Sequence, residues 1–142
     1  MVTIMPQRIL AVDDMPQITI LLKDALSIAG YEVDTAANGC EALKMVKDAI
    51  YDLIIMDMRM PEIGGKDLYK NLINLFPDLT GRIIFSTGDT DSGETARFLK
   101  DTGCPYLLKP FTIKGLIETV NSVLKGNQNV PATKDVEFKD QG

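Results

Sequence analysis

The sequence predicts an α/β fold, a (βα)5 alternation in which five parallel strands form one doubly wound sheet. Three observations predict it. The stretch Tyr51–Pro61 reads YDLIIMDMRMP, in which the apolar run Leu53, Ile54, Ile55 and Met56 closes at Asp57. A continuous run of this kind is a strand buried on both faces, as parallel sheets require, and Pro61 with Gly64-Gly65 ends it too soon for a helix. Further strand-like segments alternate with helical patterns at intervals of about 25 residues. Polar residues stand directly after most of those segments, where open α/β sheets place their chemistry.

The elements follow in order. Arg8–Val12 is an apolar strand ending at Asp13-Asp14, and Met15-Pro16 opens a helix with Ile18, Leu21, Leu22, Ala25, Leu26 and Ile28 on one broad face, closed by Gly30. Tyr31–Ala36 is the second strand; Asn38-Gly39 then turns the chain into a helix carrying Ala42, Leu43, Val46 and Ile50. After the Leu53–Asp57 strand, a glycine-containing loop leads to a helix from about Lys66 to Phe76, ended by Pro77. Arg82–Ser86 is the fourth strand, terminating at Thr87-Gly88, and a weaker amphipathic stretch runs from Thr90 to Thr102 and stops at Gly103. Pro105–Leu108 is the fifth strand, terminating at Lys109-Pro110. Thr112 is placed to cap a last helix carrying Ile113, Leu116, Ile117, Val120 and Leu124, with Gly126 stopping it. The expected division is a domain over residues 1–125 and a polar, disordered tail over residues 126–142.

A chain of 142 residues fits one domain, and its 45% hydrophobic and 25% charged content is ordinary for a globular protein. The net charge of −5 without a basic run argues against direct nucleic-acid binding. No apolar segment reaches the roughly 20 residues of a membrane span, and no signal-peptide core is present, so a cytoplasmic protein is expected. Cys40 and Cys104 have no metal-binding spacing and read as reduced packing residues. Histidine is absent, which excludes a Ser-His-Asp or Cys-His triad, a His-ligated metal and a phosphohistidine on this chain.

Asp13-Asp14, Asp57, Thr87 and Lys109 follow different strands, and in a parallel sheet all those strand ends share one edge. Each alone has an ordinary reading: Asp14 as a helix cap, Asp57 as a turn residue, Thr87 as a cap of the helix near Thr90, Lys109 as a surface charge. Their joint placement is what carries weight. Carboxylates about 4 Å apart repel by roughly 4 kcal/mol at an effective dielectric near 20, so a cluster of three calls for a cation or a proton. A hard all-oxygen site with few protein ligands suits Mg2+, while a hydroxyl and an ammonium suit phosphoryl oxygens. These are the parts needed to make an aspartyl phosphate.

Over residues 7–125 the chain resembles the response-regulator receiver domains of two-component and phosphorelay signalling, the CheY-like family. The matching residues are Asp13-Asp14, Asp57 with Met60-Pro61, Thr87-Gly88 and Lys109-Pro110-Phe111, with weaker support from Ala37–Leu43. The resemblance implies a flavodoxin-like sheet of strand order 2-1-3-4-5. It also implies that Asp57 is phosphorylated from a histidine kinase or a histidine-containing phosphotransfer protein. Asp14, Asp57 and the backbone carbonyl of Arg59 would ligate Mg2+, or Mn2+ in its place, and Asp13 would act through a metal-bound water. Lys109 would pair with the phosphoryl group and precede a cis proline. Thr87 would swing to the phosphoryl oxygen and Tyr106 would reorient after it, changing the affinity of the fourth helix, fifth strand and fifth helix for a downstream protein, a second copy of the chain among the candidates.

The sequence departs from the family pattern in places. Where the loop after Met-Pro often reads x-Met-Asp-Gly, it is Glu62-Ile63-Gly64-Gly65 here. Arg59 and Asp89, each two positions beyond a site residue, form a candidate pair acting on phosphoryl lifetime. The domain would catalyse its own phosphorylation and dephosphorylation without turning over a separate substrate. Two other readings stand beside the switch. A receiver-like interaction module without phosphorylation would lack the acceptor, a metal carboxylate or the lysine. A Mg2+-dependent aspartyl-phosphate phosphatase would carry Asp-x-Asp where this chain has Asp57-Met58-Arg59. The chain fits both a stand-alone regulator and the receiver of a hybrid kinase.

Overall fold

The computed structural model describes residues 6–88 and 93–125. Strands β1 (Arg8–Val12), β2 (Glu32–Ala36), β3 (Leu53–Asp57), β4 (Ile83–Thr87) and β5 (Tyr106–Leu108) alternate with helices α1 (Pro16–Ile28), α2 (Gly39–Asp48), α3 (Gly65–Leu75), α4 (Gly93–Thr102) and α5 (Ile113–Leu124). All strand pairs are parallel, in the order β2-β1-β3-β4-β5. This is the doubly wound arrangement and the strand order expected.

The side-chain alternation of the strands divides the core in two. Leu10, Val12, Ile54, Met56, Ile83 and Phe85 pack beneath α2, α3 and α4, whereas Ile9, Ala11, Leu53, Ile55, Ile84 and Leu107 pack beneath α1 and α5. Every residue of β3 and β4 is buried, which explains why both strands open on apolar runs, Leu53–Met56 and Ile83–Phe85, with polar residues only at their carboxyl ends. Among the described residues, no helix is long and apolar enough to cross a membrane.

The local signals mostly hold. The Asn38 side chain caps α2 by accepting from the Glu41 amide at 2.8 Å, and the Glu41 carboxylate accepts from the Ala37 amide. Thr112 caps α5 through the Gly115 amide at 2.9 Å. Gly30 takes a φ of 103° after α1.

Several expectations need correction. Ile50 lies beyond the end of α2, outside the core and 85% exposed, because the helix stops at Asp48. On α1 the buried stripe is Thr19, Leu22 and Leu26; Leu21 and Ile28 are exposed, so the broad apolar face is narrower than its composition implied. A short 3-10 turn, Pro77–Leu79, follows α3 and was not anticipated. Thr87 belongs to β4 instead of following it. Cys104 is buried as expected, but Cys40 is exposed. The start of the fourth helical stretch at Thr90, the Gly126 stop and the tail 126–142 lie outside the described residues.

Candidate functional site

The carboxyl ends of the strands are tied in pairs by the backbone, β1 to β2, β3 to β4 and β5 to β4. The Asp13 amide donates to Ala36, the Met58 amide to Ser86 and the Lys109 amide to Thr87, at 3.2, 2.9 and 2.7 Å. Val12 is in register with Met56 and Asp57 with Ser86, so Asp13, Asp57 and Ser86 stand in one row across the sheet, on the face of α1 and α5. Lys109 approaches the same row from the end of β5.

The structure thus brings together Asp13, Asp14, Asp57 and Lys109. One ligating atom from each of the three aspartates lies within 4.8 Å of the others. Lys109 Nζ donates to Asp57 Oδ1 at 3.0 Å and to Asp13 Oδ2 at 3.3 Å. Asp13 and Asp57 are buried and Asp14 is exposed, so one wall of the cluster opens to solvent. Asp57 is more enclosed than a strand-end carboxylate meeting water, at 7% exposure. Asp14 does not cap α1: the N-cap is Met15, whose amide is held by Asp13 Oδ1 at 2.9 Å.

Burial raises the Asp57 pKa above the ordinary carboxylate value; the Lys109 hydrogen bond opposes this, and the charges of Asp13 and Asp14 reinforce it. Burial acts against the Lys109 charge, but its bonds to Asp57 and Asp13 outweigh that and its pKa also rises. The Asp57 shift describes chiefly a carboxyl taken out of water, and the Lys109 shift an ammonium held between carboxylates. Three carboxylates around one opening are a hard-oxygen donor set, and they fit a small divalent cation.

Thr87 is buried at the end of β4, and its position in the alternation puts it on the α4 side with Phe85. Tyr106 is half-buried on that same side and in register with Phe85. Lys109-Pro110 is a cis peptide, as the resemblance implied. Arg59 lies in the exposed loop after β3, while Asp89, its suggested partner, is outside the described residues.

Two features near the site were missed. Tyr69, Phe85 and Phe98 form an aromatic triangle with ring centroids 5.4 to 5.7 Å apart, joining α3, β4 and α4. Lys66 reinforces it, bridging to Glu94 at 3.3 Å with its ammonium 5.8 Å from the Phe98 ring. Phe85 lies in the apolar run of β4 and Tyr69 and Phe98 on two different helices, so nothing in the sequence shows that the three rings meet. The other is Gly65: a Cβ there would sit 2.6 Å from the Asp57 carbonyl oxygen and 2.9 Å from Met58 Cα. The start of α3 therefore rests directly on the backbone that carries the central aspartate.

Comparison with known proteins agrees with this geometry. The family described as "Response regulator receiver domain" matches residues 9–121. The chemotaxis protein CheY of Thermotoga maritima is 33% identical over 122 residues, which are 85% of this chain and 100% of that protein. The chemotaxis protein CheY4 of Vibrio cholerae, crystallised at low pH, superposes with a TM-score of 0.78 at 36% identity, covering 84% of this chain and 100% of that one. The response regulator TrrA of Thermotoga maritima, solved in complex with Mg(2+)-BeF, gives 0.70 at 37% identity, covering 83% and 99%. Other curated relatives, mycobacterial regulatory proteins such as the response regulator MprA and the transcriptional regulatory protein KdpE, are 29–32% identical and are spanned over 51–56% of their length.

Proposed function

The chain belongs to the response regulator receiver family, and from that membership we propose that it is a switch operated by phosphorylation of Asp57. The observation that carries this reading is Lys109 placed between Asp57 and Asp13, with Asp14 completing the acidic cluster at the open end.

In the proposed reaction one carboxylate oxygen of Asp57 attacks the phosphorus of a phosphohistidine on a partner kinase or phosphotransfer protein. The O–P bond forms as the P–N bond breaks, and the imidazole leaves. Lys109 supplies positive charge beside Asp57, so that the phosphoryl oxygens meet an ammonium already in place. Asp13, Asp14, Asp57 and the carbonyl of Arg59 are the groups that would hold Mg2+, whose contribution is to offset charge on the carboxylates and the incoming phosphoryl group. Mn2+ has the same ligand preference. The mechanism is the family's, and it comes to this chain through the matching residues.

The output reading is that Thr87 turns toward the phosphoryl group, Tyr106 shifts, and the surface of α4, β5 and α5 changes its affinity for a downstream protein. The exposed Leu108 and Ile113 give that surface apolar character. Incubation with a small acyl phosphate, followed by intact mass, tests the proposal. A Mg2+-dependent gain of one phosphoryl group supports it; no gain from either an acyl phosphate or a phosphohistidine donor favours an interaction module without phosphorylation.

A further inference from the structure

The Ser86 hydroxyl is the one buried side-chain polar atom without a hydrogen-bond partner among the described residues, although Ser86 is only 3% exposed. Leaving a buried hydroxyl unpaired is costly, and such a group invites an account in terms of a partner present in another state. Its position supplies one. Ser86 is in register with Asp57 on one side and Leu107 on the other, and shares their face of the sheet. Lys109, one position past the Thr87–Leu108 pair, reaches Asp57 on β3 and Asp13 on β1 across the carboxyl end of β4. Ser86 is the β4 residue level with Asp57 on that face.

A divalent cation in the acidic cluster would repel the ammonium and compete for the Asp13 and Asp57 oxygens that hold it. A displaced Lys109 then needs another acceptor within the enclosed site. We infer that Ser86 is a positioning residue for Lys109: its hydroxyl oxygen accepts from Nζ when a cation occupies the carboxylates, keeping the ammonium beside Asp57 for the phosphoryl group. The inference rests on the reading of the cluster as a cation site, and it adds a residue that the sequence marks only as a polar interruption in an apolar strand.

Mg2+ titration by calorimetry on the full chain tests it without relying on phosphorylation. Ser86→Ala weakens Mg2+ binding by about tenfold, the range of a hydrogen bond to a charged group, and Ser86→Thr restores most of it. In a Lys109→Met background, Ser86→Ala leaves Mg2+ affinity unchanged. Metal-free Ser86→Ala melts no lower than the parent, because it removes an unpaired hydroxyl. Parent-like Mg2+ affinity in Ser86→Ala overturns the inference and leaves the metal reading standing, as does an equal loss in the Lys109→Met background. A parent protein that binds no Mg2+ overturns both.

Discussion

Lys109 Nζ lies 3.0 Å from Asp57 Oδ1, across 52 residues of chain, and the same ammonium is 3.3 Å from Asp13 Oδ2. One cation thus serves two buried carboxylates, with a third beside them. The site is assembled under electrostatic tension, and that tension has a measurable signature in stability.

Asp57 has a raised pKa in the folded state, with burial as the largest cause. Between the ordinary carboxylate pKa and that raised value, the folded protein holds a proton that the unfolded chain releases. Stability therefore falls as pH rises through this window. Asp57→Asn removes the charge while leaving Lys109 its bond to Asp13. Near neutral pH the variant is predicted to be more stable than the parent by roughly 1 kcal/mol, and the gap closes toward about pH 4. Urea denaturation across this pH range checks the sign.

Gly65 and Gly64 form a matched pair. A Cβ at Gly65 meets the Asp57 carbonyl at 2.6 Å, whereas at Gly64 the nearest atom is the Met58 carbonyl oxygen at 3.5 Å. Gly65→Ala must push α3 away from β3, at a cost of about 1–3 kcal/mol, and should disturb Mg2+ binding at Asp57. Gly64→Ala, with a φ of −78° that any residue adopts, should be close to neutral. Denaturant midpoints for the two variants decide the comparison.

Glu62 holds a φ of 66°, alone among the described non-glycine residues in the left-handed region. Glu62→Gly relieves that strain, and is predicted to stabilise the protein by about 0.5–1 kcal/mol despite the added freedom of the unfolded chain. A lower melting temperature in the variant would show that the loop holds Glu62 there by favourable contacts.

Phe98 is the residue through which α4 joins the aromatic triangle. Phe98→Ala is predicted to cost about 3 kcal/mol, whereas Phe98→Leu costs under about 1.5 kcal/mol. Amide exchange in α4 should accelerate in the alanine variant more than exchange in α1. Equal acceleration in both helices would place the loss in the fold as a whole and not in the attachment of α4.

The alternation of strands and helices was legible because β3 and β4 are buried on both faces and so are apolar up to their carboxyl ends, where Asp57, Ser86 and Thr87 stand. Asp13, Asp14, Asp57 and Lys109 were legible as a group because a parallel sheet brings all its strand ends to one edge. Features that depend on facing side chains were not. Leu21 and Ile28 satisfy helical spacing but fall outside the stripe that α1 turns to the sheet. The meeting of Tyr69, Phe85 and Phe98 depends on how α3 and α4 cross β4. Ser86 was visible only as one hydroxyl in an apolar strand, and its significance needs the register with Asp57.

The central claim is that Asp57 accepts the phosphoryl group. The most direct test is borohydride reduction of the protein after incubation with an acyl phosphate and Mg2+, followed by peptide mass analysis. An aspartyl phosphate is reduced to homoserine, so the account predicts homoserine at position 57 and none at Asp13 or Asp14. Phosphoryl uptake with homoserine at another aspartate, or with residue 57 still an aspartate, would contradict it.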